Sequence, residues 1–178
     1  MKRFFVSIFG VLFFRWAYPG FNYHEFPFRK LFKCFVAQRI FGINRKVPWP
    51  VHWTSEVKAF ENIQRGTETP GSMLGCYIDA RNGIILGDNA WIGPRVSLIS
   101  MDHNLLNYNC YKEEQPIRIG RDCLLTTNSV ILPGVLLGSH TVVAAGAVVT
   151  KSFPQGNVVL AGNPARVIKT LEDYSPEK

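Results

Sequence analysis

The chain has 178 residues, of which 47% are apolar and 19% are charged. This length and apolar content suffice for one domain with its own hydrophobic core, and they exclude global disorder. Every apolar run is shorter than the roughly 18 to 20 residues that a bilayer-spanning helix needs, so we expect no transmembrane span.

The cysteines form no close pair and no CxxC motif, which excludes a zinc ribbon and a small disulfide scaffold. They are Cys34, Cys76, Cys110 and Cys123. Such cysteines fit a reducing compartment, so we expect a cytoplasmic protein. The composition of the N-terminal third leaves open an association with the inner face of the membrane.

Residues 1–60 are basic and aromatic, unlike the rest of the chain. They hold ten Lys and Arg against two Asp and Glu, and 17 of the 23 aromatic residues. Such a segment can lie at a membrane surface, with its cations near anionic head groups, and residues 1–18 fit this contact. It can also pack as a helical cap over the exposed end of the next domain. No nucleic-acid-binding motif accompanies the charge, so we expect no nucleic-acid partner.

After a linker predicted at residues 61–73, aliphatic residues recur every six positions. The recurring residues are Leu86, Ile92, Leu98, Ile119, Leu125, Ile131, Leu137, Val143 and Val149. Residues two places earlier are mostly small or aliphatic too, and alternate side chains of a strand share a face. The pattern predicts short strands that bend at turns and keep one face inward, as in a parallel β-helix over residues 74–162.

The six-residue spacing fails between Leu98 and Ile119, which are 21 residues apart. Residues 104–118 must therefore leave the coil, and we expect them to project as a loop. Loops of this length are usually functional or mobile.

Residues 163–178 are predicted to form a short C-terminal helix and a tail. Asn163 can cap the helix, with Pro164 at its first position, and Val167, Ile168 and Leu171 supply an apolar stripe. Such a helix would cover the last coil, whose edge otherwise exposes unpaired backbone groups.

Several repeats and the closing motif together resemble a known family. The motifs are LGDNAW, IGPRVS, IGRDCL, LGSHTV, VVAAGAVVTK and AGNPARVI. Over residues 74–169 the chain resembles the hexapeptide-repeat acyltransferases, in particular sugar O-acetyltransferases of the maltose and galactoside group. The resemblance implies a mainly β protein with a left-handed parallel β-helix, acetyl-CoA as co-substrate, and a homotrimer with each site between two subunits.

His103 stands at a coil corner immediately before the projecting loop, where a cleft can form. A neutral imidazole can take a proton from an acceptor hydroxyl or amine as it attacks a thioester carbonyl, and the resemblance implies this role for His103. Neighbours in an extended chain point to opposite faces, so we expect Asp102 to contact the acceptor, solvent or a turn amide rather than the imidazole. Asn104 is a further candidate for acceptor binding.

The resemblance also implies a cofactor groove over residues 144–169. Ala144, Ala145 and Gly146 lack bulk, which lets the backbone approach the pantetheine arm of coenzyme A. Cationic and hydroxyl side chains match family positions near the coenzyme A phosphates. These are Thr150, Lys151, Arg166 and Lys169. Thr127 matches the position whose backbone N–H stabilises the developing oxyanion.

Two departures from the family leave the acceptor open. Sugar-acetylating relatives often carry a tryptophan where this chain has Leu124, and their acceptor-binding asparagine has no evident counterpart around residues 73–77. Trp91 could replace the missing stacking surface for a sugar ring, or pack against a neighbouring subunit or the N-terminal segment.

We therefore expect a CoA-dependent O-acetyltransferase that acts on a hydroxyl of a saccharide or glycan precursor, as in polysaccharide biosynthesis. Transfer to the amine of an amino-sugar nucleotide uses the same histidine and is an alternative. A β-helix scaffold that has lost catalysis is a second alternative. Only His103 and His140 lie in the repeats, too few for a three-histidine metal site, so we expect no metal.

Overall fold

The computed structural model describes residues 16–18 and 27–175. The membrane contact expected of residues 1–18 falls almost wholly outside these ranges. Within them, no helix combines the length and the apolar character that crossing a bilayer would need.

From residue 27 onward the chain forms helix α1 and then mainly short strands. Helix α1 (Phe28–Phe35) runs into a π-helical turn (Val36–Ile40), and a 3-10 turn (Phe60–Asn62) follows the first strand. The strands are β1 (Glu56–Lys58), β2 (Ile63–Gln64), β3 (Tyr77–Asp79), β4 (Ile84–Leu86), β5 (Trp91–Ile92), β6 (Ser97–Ile99), β7 (Asp102–Asn104), β8 (Asn107–Lys112), β9 (Ile117–Ile119), β10 (Leu124–Leu125), β11 (Val130–Ile131), β12 (Leu136–Leu137), β13 (Thr141–Val143), β14 (Val148–Val149), β15 (Val158–Ala161) and β16 (Arg166–Thr170).

Most of the strands form three parallel sheets, which are the faces of a triangular prism. Face 1 joins β1, β3, β6, β11 and β14, face 2 joins β2, β4, β9 and β12, and face 3 joins β5, β10, β13 and β15. The chain visits faces 1, 2 and 3 in turn, so each circuit adds one coil, and the described residues make five coils. This is the left-handed parallel β-helix that the resemblance implied.

Aliphatic side chains fill the prism in stacked columns. The register places Leu98, Ile131 and Val149 above one another on face 1, and Leu125 beside Val143 on face 3. Of the nine predicted inward positions, eight are buried and the ninth is half-buried, and all nine positions two residues earlier are buried. The core predicted from the six-residue spacing is confirmed. Burying each such side chain contributes about 1.5–3 kcal/mol.

The corner between faces 2 and 3 brings the backbones of successive coils close together. It holds one glycine from each of four coils: Gly87, Gly120, Gly138 and Gly156. A Cβ atom on Gly120 would lie 2.5 Å from the backbone nitrogen of Ser139 and 2.8 Å from the carbonyl carbon of Gly138. These distances leave no room for a side chain, so the stacking of the coils requires glycine here.

The chain leaves the third coil between faces 1 and 2, where the projecting loop was expected. The excursion is a β-hairpin in which β7 pairs antiparallel with β8. Both strands are exposed along their whole length, and residues 113–116 return the chain to β9. The spacing therefore located the departure from the coil, but it did not predict the pairing within it.

The β-helix begins earlier than predicted, and its first coil includes part of the segment interpreted as a linker at 61–73. β1 pairs with β3 on face 1, and β2 pairs with β4 on face 2. Val57 and Ile63 keep the six-residue spacing and pack against the core. Residues 65–76 then interrupt the spacing before Ile78, which is why the sequence did not reveal this coil.

The C-terminal residues form a strand, and the predicted helix is wrong. β16 pairs antiparallel with β15 and extends face 3, while Asn163 and Pro164 lie in a turn. A strand is favoured because Val167, Ile168 and Thr170 are β-branched and the edge of β15 offers unpaired backbone groups. The strand thus supplies the cover that the helix was expected to supply.

The described part of the N-terminal segment caps the first coil. Leu31, Trp49 and Val51 belong to the core that continues into Val57. Gln38 is fully buried, and its side-chain amide donates a hydrogen bond to the carbonyl oxygen of Trp49 at 3.1 Å. These contacts correspond to the cap interpretation of the basic aromatic segment.

Candidate active site

One ring nitrogen of His103 is held by the backbone of the hairpin. His103 lies on β7, and its Nδ1 is 2.6 Å from the carbonyl oxygen of Tyr108. A carbonyl oxygen only accepts, so Nδ1 carries the hydrogen and donates it. Nε2 is then the unprotonated nitrogen of the neutral ring, which is the form that a general base needs.

Asp102 and Asn104, the predicted acceptor-binding neighbours of His103, make local hydrogen bonds. Asp102 Oδ1 accepts a hydrogen bond from the backbone N–H of its strand neighbour His103 at 2.8 Å. Asn104 Oδ1 accepts from the backbone N–H of Leu106 at 2.9 Å and helps to close the hairpin turn. Both side chains are exposed beside His103, and their binding of an acceptor stays a prediction.

A chain of side-chain contacts links the ring of His103 to the second coil. The His103 and Tyr111 ring centroids are 4.7 Å apart, and the guanidinium carbon of Arg81 lies 4.6 Å from the Tyr111 centroid. Arg81 Nη2 is 2.7 Å from Oδ2 of the buried Asp79. We call the three residues Asp79, Arg81 and Tyr111 together the hairpin clamp.

Asp79 is ionised in the hairpin clamp at neutral pH. Burial alone would raise the pKa of its carboxyl group, but the hydrogen bonds and positive charge of Arg81, together with the charge of Lys58, hold this pKa below its ordinary value. The hydrogen bond to Asp79 in turn raises the pKa of the Arg81 guanidinium. The clamp therefore rests on a full ion pair, which anchors Arg81 under the hairpin.

The hairpin clamp was missed by sequence reasoning. Its one sequence signal is the spacing of Asp79 and Arg81, which are two residues apart where a strand ends. Residues two apart in an extended chain lie on the same side, so this spacing allows the two side chains to pair. Tyr111 carries no comparable signal, because its position opposite His103 depends on the register of the hairpin.

Thr127 and the small residues of the predicted cofactor groove lie together at the corner between faces 3 and 1. The backbone N–H of Gly146 donates to the carbonyl oxygen of Thr127 at 3.0 Å, and Ala144 and Ala145 precede it in the same turn. Within the described residues, the N–H of Thr127 takes part in no hydrogen bond with another backbone group. The role of this N–H as an oxyanion donor stays a prediction.

The four residues predicted to bind the coenzyme A phosphates lie in two separate places, and all four are exposed. Thr150 and Lys151 follow β14 at the corner between faces 1 and 2, two coils beyond His103. Arg166 and Lys169 lie on β16. The backbone N–H of Ala165 donates to the carbonyl oxygen of Val148 at 2.8 Å. Val148 begins the face 1 strand β14, so this bond places Arg166 beside the corner between faces 3 and 1, where Thr127 lies.

Trp91 and Leu124 lie side by side on face 3. They are cross-strand partners between β5 and β10, and Trp91 is 63% exposed. Trp91 Nε1 donates to Asn89 Oδ1 at 2.5 Å, which orients the indole. The tryptophan absent at position 124 is thus present one coil earlier on the same face. It lines a groove of about 290 Å³ together with Lys30 and Glu68.

One protomer holds the predicted site residues at two separate corners. His103, with Asp102 and Asn104, lies at the corner between faces 1 and 2, whereas Thr127 and Gly146 lie at the corner between faces 3 and 1. Face 1 separates the two corners by at least about 10 Å, the length of a three-residue strand. A single protomer does not bring the candidate base and the candidate oxyanion donor together.

Three of the four cysteines are buried. Burial raises the pKa of the Cys34, Cys76 and Cys123 thiols, which keeps them protonated and weakly nucleophilic. Cys110 is exposed on the hairpin. Across residues 16–18 and 27–175, no three His, Cys, Asp or Glu side chains form a group that could hold a metal ion.

Sequence comparisons relate the chain to known acetyltransferases. A family model described as the hexapeptide repeat of succinyl-transferase matches residues 116–151. Galactoside O-acetyltransferase of Escherichia coli strain K12 is 40% identical over 93 residues, which are 51% of this chain and 45% of that relative. This match therefore spans a little less than half the length of the relative. YvoF of Bacillus subtilis strain 168, which carries an acetyltransferase name, is 30% identical over 152 residues, or 85% of this chain and 84% of YvoF.

A solved structure agrees with these relatives. A galactoside acetyltransferase in complex with coenzyme A matches with a TM-score of 0.60 at 31% identity, over 70% of this chain and 62% of that one. The match to YvoF extends over most of both chains, and the five coils of six-residue repeats agree with it. The chain belongs to the hexapeptide-repeat acetyltransferase family.

Proposed function

We propose that the protein transfers an acetyl group from acetyl-CoA to a hydroxyl group of a saccharide or glycan precursor, with His103 as general base. The observation that carries this proposal is the hydrogen bond from Nδ1 to the Tyr108 carbonyl, which leaves Nε2 as the basic nitrogen on an exposed hairpin. The solved structure of a relative in complex with coenzyme A supports the proposal that coenzyme A carries the acetyl group.

In the proposed reaction, Nε2 of His103 takes the proton of the acceptor hydroxyl while its oxygen attacks the thioester carbonyl carbon. The N–H of Thr127 donates to the oxyanion of the tetrahedral intermediate, a contribution of about 3–4 kcal/mol where such donors are preorganised. The intermediate collapses by breaking its carbon–sulfur bond. The proton held on Nε2 passes to the departing sulfur, so acetylated acceptor and free coenzyme A leave and the histidine is neutral again.

The proposed assembly is a homotrimer with each site between two subunits. The division of site residues between two corners supports it, because His103 can meet Thr127 only where the corner between faces 1 and 2 of one protomer faces the corner between faces 3 and 1 of the next. In such an assembly Ala144, Ala145 and Gly146 would border the pantetheine arm. Lys151 would come from the subunit that supplies His103, and Arg166 from its neighbour.

The acceptor side of the proposal rests on exposed groups near the imidazole and on Trp91. Asp102 and Asn104 flank His103 and can form hydrogen bonds with sugar hydroxyls. Trp91 offers a largely exposed indole face of the kind on which sugar rings stack. We propose that Trp91 takes the place of the tryptophan that sugar-acetylating relatives carry at the position of Leu124.

Thermal unfolding of the unchanged protein and of the His103→Ala variant, each with and without acetyl-CoA, tests the proposal. Both proteins should be stabilised, because a ligand at about 100 times its dissociation constant adds about 2.7 kcal/mol. Release of coenzyme A thiol in the presence of saccharide acceptors should fall about 10²- to 10⁴-fold in His103→Ala, because the base is lost.

Paired acceptors that differ only in a hydroxyl or an amine complete the test. Transfer to the hydroxyl acceptor supports the proposal, and transfer to the amine alone replaces it with N-acetylation. If millimolar acetyl-CoA shifts neither protein, the scaffold alternative replaces it.

A further inference from the structure

The N-terminal cap exposes a continuous apolar groove that the proposed reaction does not use. It has a volume of about 430 Å³ and lies between helix α1 and the segment that leads into the first coil. Its lining is almost entirely apolar or aromatic. The lining residues are Phe32, Lys33, Val36, Ala37, Phe41, Ile43 and Trp53. We call Phe32, Phe41, Ile43 and Trp53 the aromatic patch.

The side chains of the aromatic patch are unusually exposed for their type. Phe41 is 74% exposed and Phe32 49%, and Ile43 and Trp53 are about equally exposed at 40% and 41%. Contiguous apolar surface of this kind is uncommon on a monomer and marks an interaction site. The patch is therefore a candidate interaction site.

The charged residues of the segment that contains the patch are all positive. Residues 27–55 contain six Lys and Arg and no Asp or Glu. Lys33 Nζ lies 5.5 Å from the Trp53 ring centroid, inside the groove, and Arg45 and Lys46 are exposed in the turn after Ile43. An occupant that is apolar at its centre and carries negative charge beside Lys33 would complement these residues.

We infer that the aromatic patch binds the surface of a membrane that contains anionic lipids. Aromatic and aliphatic side chains lie at the boundary of head groups and acyl chains, and Lys and Arg lie beside the lipid phosphates. A second copy of the chain fits less well, because pairing the patch with itself would bring the same cations together. This contact involves residues other than the predicted arm at 1–18, and it does not rest on the proposed acetyl transfer.

Vesicle co-sedimentation of the full chain tests the inference without any acceptor or turnover. Vesicles of phosphatidylcholine alone are compared with vesicles that also contain phosphatidylglycerol, at low and high salt. The chain should sediment with the anionic vesicles at low salt, and high salt should weaken this binding because it screens the charges. Equal binding to both kinds of vesicle would overturn the inference.

Two variants separate the apolar and the charged contributions. Phe32→Ser with Phe41→Ser, and Arg45→Glu with Lys46→Glu, should each lower binding to anionic vesicles at least about fivefold. Leu106→Ser is the matched control, since Leu106 is 97% exposed but lies on the distant hairpin, and it should bind like the unchanged chain. All the substituted side chains are exposed, so unfolding midpoints should stay the same.

Unchanged binding in both patch variants would show that other residues contact the vesicles and would overturn the inference. So would a loss of the same size in Leu106→Ser. Light scattering identifies the rival occupant: if the patch variants form smaller assemblies than the unchanged chain, the patch is a contact between copies and not a membrane surface.

Discussion

A single hydrogen bond decides which nitrogen of His103 can act as a base. Because Tyr108 offers a carbonyl oxygen, the lone pair of the neutral ring is fixed on Nε2. The sequence could single out His103, since it stands where the six-residue spacing stops. It could not reveal the contacts with Tyr108 and Tyr111, because hairpin register depends on a turn that the spacing does not describe.

Tyr111 contacts both the imidazole of His103 and the guanidinium of Arg81, so it should position the base. We expect Tyr111→Leu to lower kcat about tenfold or more, because a small displacement of a reacting group is costly. The KM for acetyl-CoA should stay the same, since Tyr111 lies on the hairpin and not at the corner of Thr127. Steady-state rates of thiol release measure both constants.

Tyr111→Phe is the matched control for this prediction. It keeps the ring against His103 and removes only the hydroxyl, so it should retain most of the turnover. If the Phe and Leu variants lose the same amount, or if KM rises while kcat is unchanged, Tyr111 does not position the histidine.

Among the elements, the regular coils follow from the sequence, whereas the pieces that close the ends do not. Each coil repeats the same inward positions, so one atypical residue does not change a prediction that rests on many repeats. The C-terminal stretch that contains Val167 and Ile168 is not repeated elsewhere in the chain. Its apolar residues fit a helical stripe as well as a strand. The free edge of β15 decides between them, and this edge exists only after the coils have formed.

Gly120 tests how closely the coils approach each other at the corner between faces 2 and 3. Gly120→Ala should destabilise the protein by about 1–3 kcal/mol, because the added methyl group meets the backbone of the next coil and forces it to shift. Urea unfolding measures the change. Arg118→Ala, on the exposed side of β9, is the control and should change stability by less than about 0.5 kcal/mol. Equal stability of the two variants would contradict the close approach.

At the scale of the whole molecule, the fold could be predicted because a β-helix is a repeated local unit. The sequence could also name candidate residues by resemblance. The resemblance implied a site between two subunits, but the six-residue spacing alone did not show that His103 and Thr127 lie at different corners. The separation matters for function, since it supports the proposal that a neighbouring protomer completes the site.

Mixed assemblies test whether neighbouring subunits share a site. His103→Ala lacks the base, and Ala145→Trp blocks the predicted cofactor groove, so each variant alone should be inactive. Coexpressed in equal amounts, they should recover about a quarter of the normal activity, because half of the subunits offer an intact base and half of their neighbours an intact groove. Thiol release from purified mixed assemblies measures the recovery. No recovery, in assemblies shown to contain both variants, would place each site within one chain.

The cap over the first coil has a consequence for adhesion. All coils of a β-helix stack in one direction, so a threefold assembly of parallel prisms would carry all three caps at the same end. Three weak contacts with a lipid surface would then act together, and their combined avidity could exceed that of one cap by orders of magnitude. In such an assembly the protein would bind a membrane more tightly than a single chain does.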